Sequence, residues 1–178
     1  MKTIQLLFIS LFLFSITVNS QSKQENPITS RTVIGYLKIP NIEGESKSSE
    51  YKNEIEIFGL ASLIEKAGKI VPGRGRSQYR AEMSPISLVK KIDAATPYIM
   101  LANLQGKSFK EAIISLIKNE SKEPYLILTL KKTTINKHQL DASSNRQEIV
   151  SLSFEKITIK YINNGQEHEV TYNLAGGA

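Results

Sequence analysis

Cysteine and tryptophan are absent from this chain of 178 residues, and histidine occurs only twice. Without cysteine no disulfide can form and no lipid can be attached through an N-terminal thiol, so the folded state must rest on its core alone. The two histidines, His138 and His168, are isolated among polar residues. With no thiolate and no carboxylate at ligand spacing, no zinc or other transition-metal site is expected, and both histidines read as surface residues. No serine sits in a G-x-S-x-G elbow, or in an S-x-x-K motif with a plausible partner. Glu43, Glu45, Glu54 and Glu56 could pair as acid and base, but the last two share a strand face expected to be wet and read as solvated charge. These absences leave no catalytic residues, no cofactor and no enzyme to expect.

A long apolar run is lacking too. The densest stretch, Leu6 to Phe14, is broken at Ser10 and followed by Ser15 and Thr17, which is too interrupted for a transmembrane helix. It follows the positive start Met1-Lys2-Thr3 and precedes Val18-Asn19-Ser20, the small-residue pattern that a signal peptidase reads. Residues 1–20 therefore read as a signal peptide cut between Ser20 and Gln21, with an uncleaved membrane anchor as the alternative. The expected location is secreted or periplasmic, with no stable membrane insertion once the leader is gone. Residues 21–33 are polar and read as a flexible arm. Residues 34–178 are enough for one domain with its own core.

The net charge is +6, which favours solubility and says little about fold. Its densest basic cluster is Lys66, Lys69, Arg74, Arg76 and Arg80. Gly73-Arg74-Gly75-Arg76 lacks the Lys-Ser/Thr ending of a phosphate loop, so it suits a partner surface better than catalysis, and no nucleic-acid partner is expected.

The periodicity of the remaining chain is mainly that of strands. Ile34 to Ile39 forms a first strand stopped by Pro40-Asn41, and Glu54 to Phe58 alternates cleanly. The segment from Leu60 to Glu82 reads as a long excursion, with Ala61–Ala67 able to make a short helical turn before Pro72-Gly73. Pro85 to Ile92 is extended. One helix follows, with Thr96 as N-cap, Pro97 in the first position and Gly106 as the stop. Its expected packed face is Tyr98, Leu101 and Ala102, beside Met100 and Leu104. Ala112 to Ile117 reads as a central strand, and Leu126 to Leu130 opens a long strand running past Ile135. Leu152 and Phe154 share one parity and Ile157, Ile159 and Tyr161 the other, which predicts a β-bulge at Glu155-Lys156. Asn164-Gly165 predicts a tight hairpin whose return strand carries Val170, Tyr172 and Leu174. Many strands and one helix predict a barrel or compact sandwich. Only four residues follow Leu174, so no fused C-terminal toxin domain is expected.

Three blocks together resemble one family. They are Tyr36-Leu37-Lys38-Ile39-Pro40-Asn41-Ile42-Glu43-Gly44-Glu45-Ser46 with the strand Glu54–Phe58, then Leu88 to Pro97 running through the helix to Gly106-Lys107, and Val150 to Ile157 continuing to Tyr161. In order and spacing they span about residues 34–172 and resemble the haemolysin-coregulated protein (Hcp) family, the tube subunits of bacterial type VI secretion systems. The resemblance implies a mainly β fold: an Hcp-like β-barrel with one short flanking α-helix. It further implies a homohexameric ring that stacks into tubes, with a spike protein and effector cargo as further partners. By position, the excursion from Leu60 to Glu82 is similar to the loop that reaches a neighbouring ring, giving Arg74, Arg76, Tyr79 and Arg80 an interface role. Two features depart from the family: Phe58-Gly59-Leu60 stands where it often has a tryptophan-glycine pair, and the leader is unexpected in a subunit held in the cytoplasm. An exported monomeric barrel that binds a ligand or surface partner is the alternative function.

Overall fold

One strand of 18 residues, β7 (Pro124–Asp141), organises the molecule. A computed structural model describes residues 32–67, 80–119, 121–142 and 146–174. Along one edge β7 pairs with β6 (Ser108–Ile117). Along the other it pairs with β8 (Gln147–Ser153) over its second half and β9 (Lys156–Asn163) over its first. From β6 the sheet continues through β1 (Gly35–Lys38), β2 (Ile55–Ala61) and β5 (Ile86–Lys91) to β8, which returns to β7. Six antiparallel strands therefore close a barrel, and with one helix among the described residues the fold is the mainly β barrel that the resemblance implies, not the sandwich that the strand pattern also allowed.

The barrel interior is filled by alternate aliphatic residues, among them Leu37, Ile55, Ile57, Ile86, Leu88, Ile114, Leu130, Val150 and Leu152, all buried. Six strands leave room only for packed side chains, and branched aliphatics fill that space in well-defined rotamers. Gly35 lets β1 approach β6 closely, since a Cβ there would lie 2.3 Å from the Ser115 carbonyl oxygen. The turn after β1 uses Asn41 at φ 62°, and the following loop folds back through Gly44 N–H to Asn53 O at 2.8 Å. Tyr51 from that loop stacks on Tyr36 at 4.3 Å and pins it to the barrel wall.

The parity change near Glu155 is real, but it is not a bulge. Lys131 pairs with Lys156 and Thr134 with Ser153, so both strands pass the same number of residues through the corner. On β7, Lys132 takes φ 51° and the buried set moves from Leu128 and Leu130 to Thr133 and Ile135. The two strands thus turn over together, and Lys132 bonds Glu155 across the bend at 2.7 Å. The register shifts that do occur include Ile135/Lys137 and Ile57/Gly59. The second leaves Phe58 as the extra residue, buried with the Lys91 ammonium 4.7 Å above its ring.

The helix α1 (Thr96–Leu104) is where expected, but its buried face is Thr96, Ile99 and Ala102. Tyr98, Leu101 and Leu104 face outwards, and Leu104 is 82% exposed. The reason is compositional: α1 carries no charged residue, so the 3.6-residue period fits two apolar faces equally well. Thr96 is the first helical residue and not the cap; its hydroxyl accepts from the Asp93 N–H at 3.0 Å while Asp93 accepts from the Ala95 N–H at 2.9 Å. Gly106, at φ 59°, ends the helix as predicted.

Candidate assembly surface

Beyond the bend, β9 leaves the barrel and folds back as β10 (Gln166–Asn173). The turn between them is Asn164-Gly165, with φ of 49° and 77°, as the dipeptide predicts. One face of this ribbon starts in the core at Ile157, paired with Tyr172, and runs outwards through Ile159 and Val170 to Tyr161 and His168. Burial fades along it until Tyr161 is 45% and Val170 64% exposed. The opposite face is polar: Thr158 and Thr171 share a hydrogen bond at 2.8 Å, and Lys160 reaches Glu167 at 2.9 Å and Glu169 at 3.5 Å. The bond that Lys160 donates to Glu167, and that carboxylate's charge, hold the Lys160 pKa above the ordinary lysine value. β10 ends the sheet, so its outer edge bears no strand among the described residues. An apolar face running out to an open strand edge is a surface that pairs readily with another chain.

The excursion between β2 and β5 begins and ends as a hairpin stem. β3 (Ile64–Ala67) pairs antiparallel with β4 (Arg80–Met83), from Ile64–Met83 to Ala67–Arg80. Where a helical turn was expected at Ala61–Ala67, Ala61 ends β2 and Ile64–Ala67 form β3, because cross-strand pairing outweighs the weak helical propensity of so short a segment. This two-stranded sheet is separate from the barrel sheet; Ile64 on it and Leu63 just before it are exposed. Of the four residues given an interface role, Arg80 opens β4, whereas Arg74, Arg76 and Tyr79 lie outside the described residues. Ser20 and Gln21, at the expected cleavage point, lie outside them too.

The structure also assembles a polar cluster that sequence reasoning missed. Lys90 on β5 and Glu148 on β8 are cross-strand partners, and their side chains are 1% and 0% exposed. Lys90 Nζ bonds Glu148 Oε1, Asp93 Oδ1 at 2.7 Å and the Lys91 carbonyl at 2.7 Å. The Thr96 hydroxyl donates to Glu148 Oε1 at 2.8 Å, and His138 Nε2 lies 2.6 Å from Glu148 Oε2. Burial pushes the Glu148 carboxyl up, but the bonds from Lys90, His138 and Thr96 and the lysine charge outweigh it and hold the group below the ordinary carboxylate range. His138, expected at the surface, is half-buried, with its side chain bonded and only 7% exposed, whereas His168 is exposed as expected. A signal was available: Glu148 has the parity of Val150 and Leu152, and Lys90 that of Ile86 and Leu88. Among the described residues no three His, Asp or Glu side chains group to hold a metal ion. Two open grooves of about 480 and 250 Å³ flank the loop after β1, share Lys52 and Asn53, and are not lined by a histidine.

A family model described as "Type VI secretion system effector, Hcp" matches residues 36–161. The chain belongs to the Hcp family. Protein hcp1 of Pseudomonas aeruginosa is 27% identical over 131 residues, covering 71% of this chain and 81% of that protein. The crystal structure of Hcp1 from Salmonella typhimurium superposes with a TM-score of 0.70 at 24% identity, over 82% of this chain and 98% of that one. A type VI secretion system effector from Yersinia pestis has a TM-score of 0.64 at 25% identity, over 78% of this chain and 98% of its own. The family match runs from β1 through the barrel strands and into β9. No helix among the described residues is long and apolar enough to cross a membrane.

Proposed function

We propose that this Hcp-family chain is a structural subunit of a type VI secretion tube, and that six copies close into a ring through the β9–β10 ribbon. The observation that carries this reading is the open edge of β10 beside the exposed Tyr161 and Val170. An eight-residue edge strand with an apolar neighbouring face invites aggregation unless a partner covers it, and a neighbouring copy is the partner always at hand. Rings then stack through the segment between β2 and β5, with Arg74, Arg76, Tyr79 and Arg80 at the contact. A spike protein and effector cargo are the further partners of the finished tube. The subunit works as scaffold and carrier, not as a catalyst. Residues 1–20 act as a leader cleaved between Ser20 and Gln21, which delivers the subunit to the periplasm or beyond.

The decisive experiment is size-exclusion chromatography with negative-stain microscopy on residues 21–178. Rings of about sixfold symmetry are expected. A strict monomer at high concentration would overturn the tube reading and favour an exported monomeric binding module.

A further inference from the structure

The helix α1 carries two apolar stripes on opposite sides of its 3.6-residue turn and no charged residue to tell them apart. The outward stripe of Tyr98, Leu101 and Leu104 is the larger, yet all three are exposed. The inward side buries only Ile99 and Ala102 beside Thr96. A tyrosine and two leucines remove more apolar surface from water than an isoleucine and an alanine, so apolar burial alone does not choose the observed face. The polar groups do. Thr96 and Asn103 stand seven positions apart, on the side of Ile99, and both are bonded to the barrel. The Thr96 hydroxyl donates to Glu148 Oε1 at 2.8 Å and accepts from the Asp93 N–H at 3.0 Å and from Lys90 Nζ at 3.3 Å, so its one proton and both lone pairs are used. The Asn103 amide donates at 2.8 Å to the carbonyl of Ile135, beside the register shift Ile135/Lys137 of the β7–β8 ladder.

We propose that these bonds form a polar key: Glu148, held by Lys90 on the barrel, and Thr96 and Asn103 on the helix together select which face of α1 packs. Rotating α1 by half a turn would bury the larger stripe, but it would strip Thr96 from Glu148 and Asn103 from the Ile135 carbonyl. A buried polar group left without its partner costs more than the bond itself contributes, so the smaller stripe packs. The key acts on choice more than on strength. A buried ion pair such as Lys90–Glu148 often adds no net stability over well-packed apolar residues of the same volume. What it supplies here is a carboxylate in one fixed place, within reach of one side of the helix. Ile99 and Ala102 therefore close the core, and Tyr98, Leu101 and Leu104 are kept as the displayed face.

The chain has no cysteine, so a single introduced thiol reports on one position. Thiol labelling of the full chain is read at Ala102→Cys, on the packed face, and at Leu101→Cys, on the displayed one. Each reporter is carried with and without the pair Thr96→Val, Asn103→Leu, which nearly keeps side-chain size and removes the helix's half of the key. With the key intact, labelling should be slow at the first reporter and fast at the second. Without it the two faces become comparably populated. The Ala102→Cys rate should then rise by about tenfold, as its exposed state grows from a minor population, and the Leu101→Cys rate should fall by about half. Thr96→Ser keeps the hydroxyl and should label as the parent does at both positions. The proposal is overturned if both rates stay at their parent values. It is equally overturned if Ala102→Cys speeds up while Leu101→Cys does not slow, since the bonds then only hold α1 down and select nothing. Should the pair fail to fold, Thr96→Val alone is read by the same two rates, and the same outcomes decide.

Discussion

Glu148 is the most demanding side chain to place, a carboxylate with no exposed surface among aliphatic neighbours. Its bonds offset the desolvation only as a set, so removing one partner leaves the rest buried and unmatched. Lys90→Met should destabilise the fold by about 3–5 kcal/mol, read as a shifted urea midpoint at unchanged slope. The double variant Lys90→Met, Glu148→Leu should recover much of that loss, because two well-packed apolar residues carry no stranded charge. The pH sign follows from the lowered Glu148 titration: its contribution is present above the ordinary carboxylate range and disappears as pH falls through the folded-state value. At Gly35 the constraint is steric, with the Ser115 oxygen where a Cβ would stand. Gly35→Ala should cost about 1–3 kcal/mol in the same measurement, since β1 and β6 must part to admit the methyl group. Little of this was legible beforehand. Lys90 and Glu148 are far apart in sequence, and although each shares the parity of core positions, only the strand register brings the two together.

Elements were more readable than their orientations. The length of β7, the hairpin at Asn164-Gly165 and the stop at Gly106 follow from local chemistry: alternation, two residues that tolerate positive φ, and one glycine in the left-handed region. The face of α1 does not follow, because a helix without charge offers periodicity no polar side to set outwards. The contrast is testable within one helix. Ile99→Ala should cost about 2–5 kcal/mol, whereas Leu104→Ala, almost fully exposed, should stay within about 0.5 kcal/mol. Equal losses at both sites in thermal or urea unfolding would mean that α1 packs on its other face. The bend between Lys132 and Glu155 shows the same limit from the strand side. One strand's phase slip was visible, but its partner's answering slip turns the feature from a bulge into a shared corner, and only pairing reveals which it is.

At the scale of the molecule, closure comes from β7 being long enough to serve β9 with one half and β8 with the other, which leaves β10, among the described residues, as the open-edged strand of the barrel sheet. Sequence patterns name strands but not their neighbours, so the barrel was inferable while the open edge was not. The family blocks were legible because residues 36–161 retain them in order. The assembly reading assigns two surfaces to two directions of growth, and they should fail separately. Val170→Asp places a charge on the exposed part of the β9–β10 face, at a side chain outside the barrel core. It should abolish rings and leave the thermal midpoint of the monomer within a few degrees. Charge reversal at Arg74 and Arg76 should instead leave rings intact and suppress their stacking into tubes, most clearly at low salt, where the Debye length is longest. Both are read by negative-stain microscopy of the same preparations. If the arginine variant lost rings, or the Val170 variant kept them, the two surfaces would have exchanged roles and β10 would not be the ring contact.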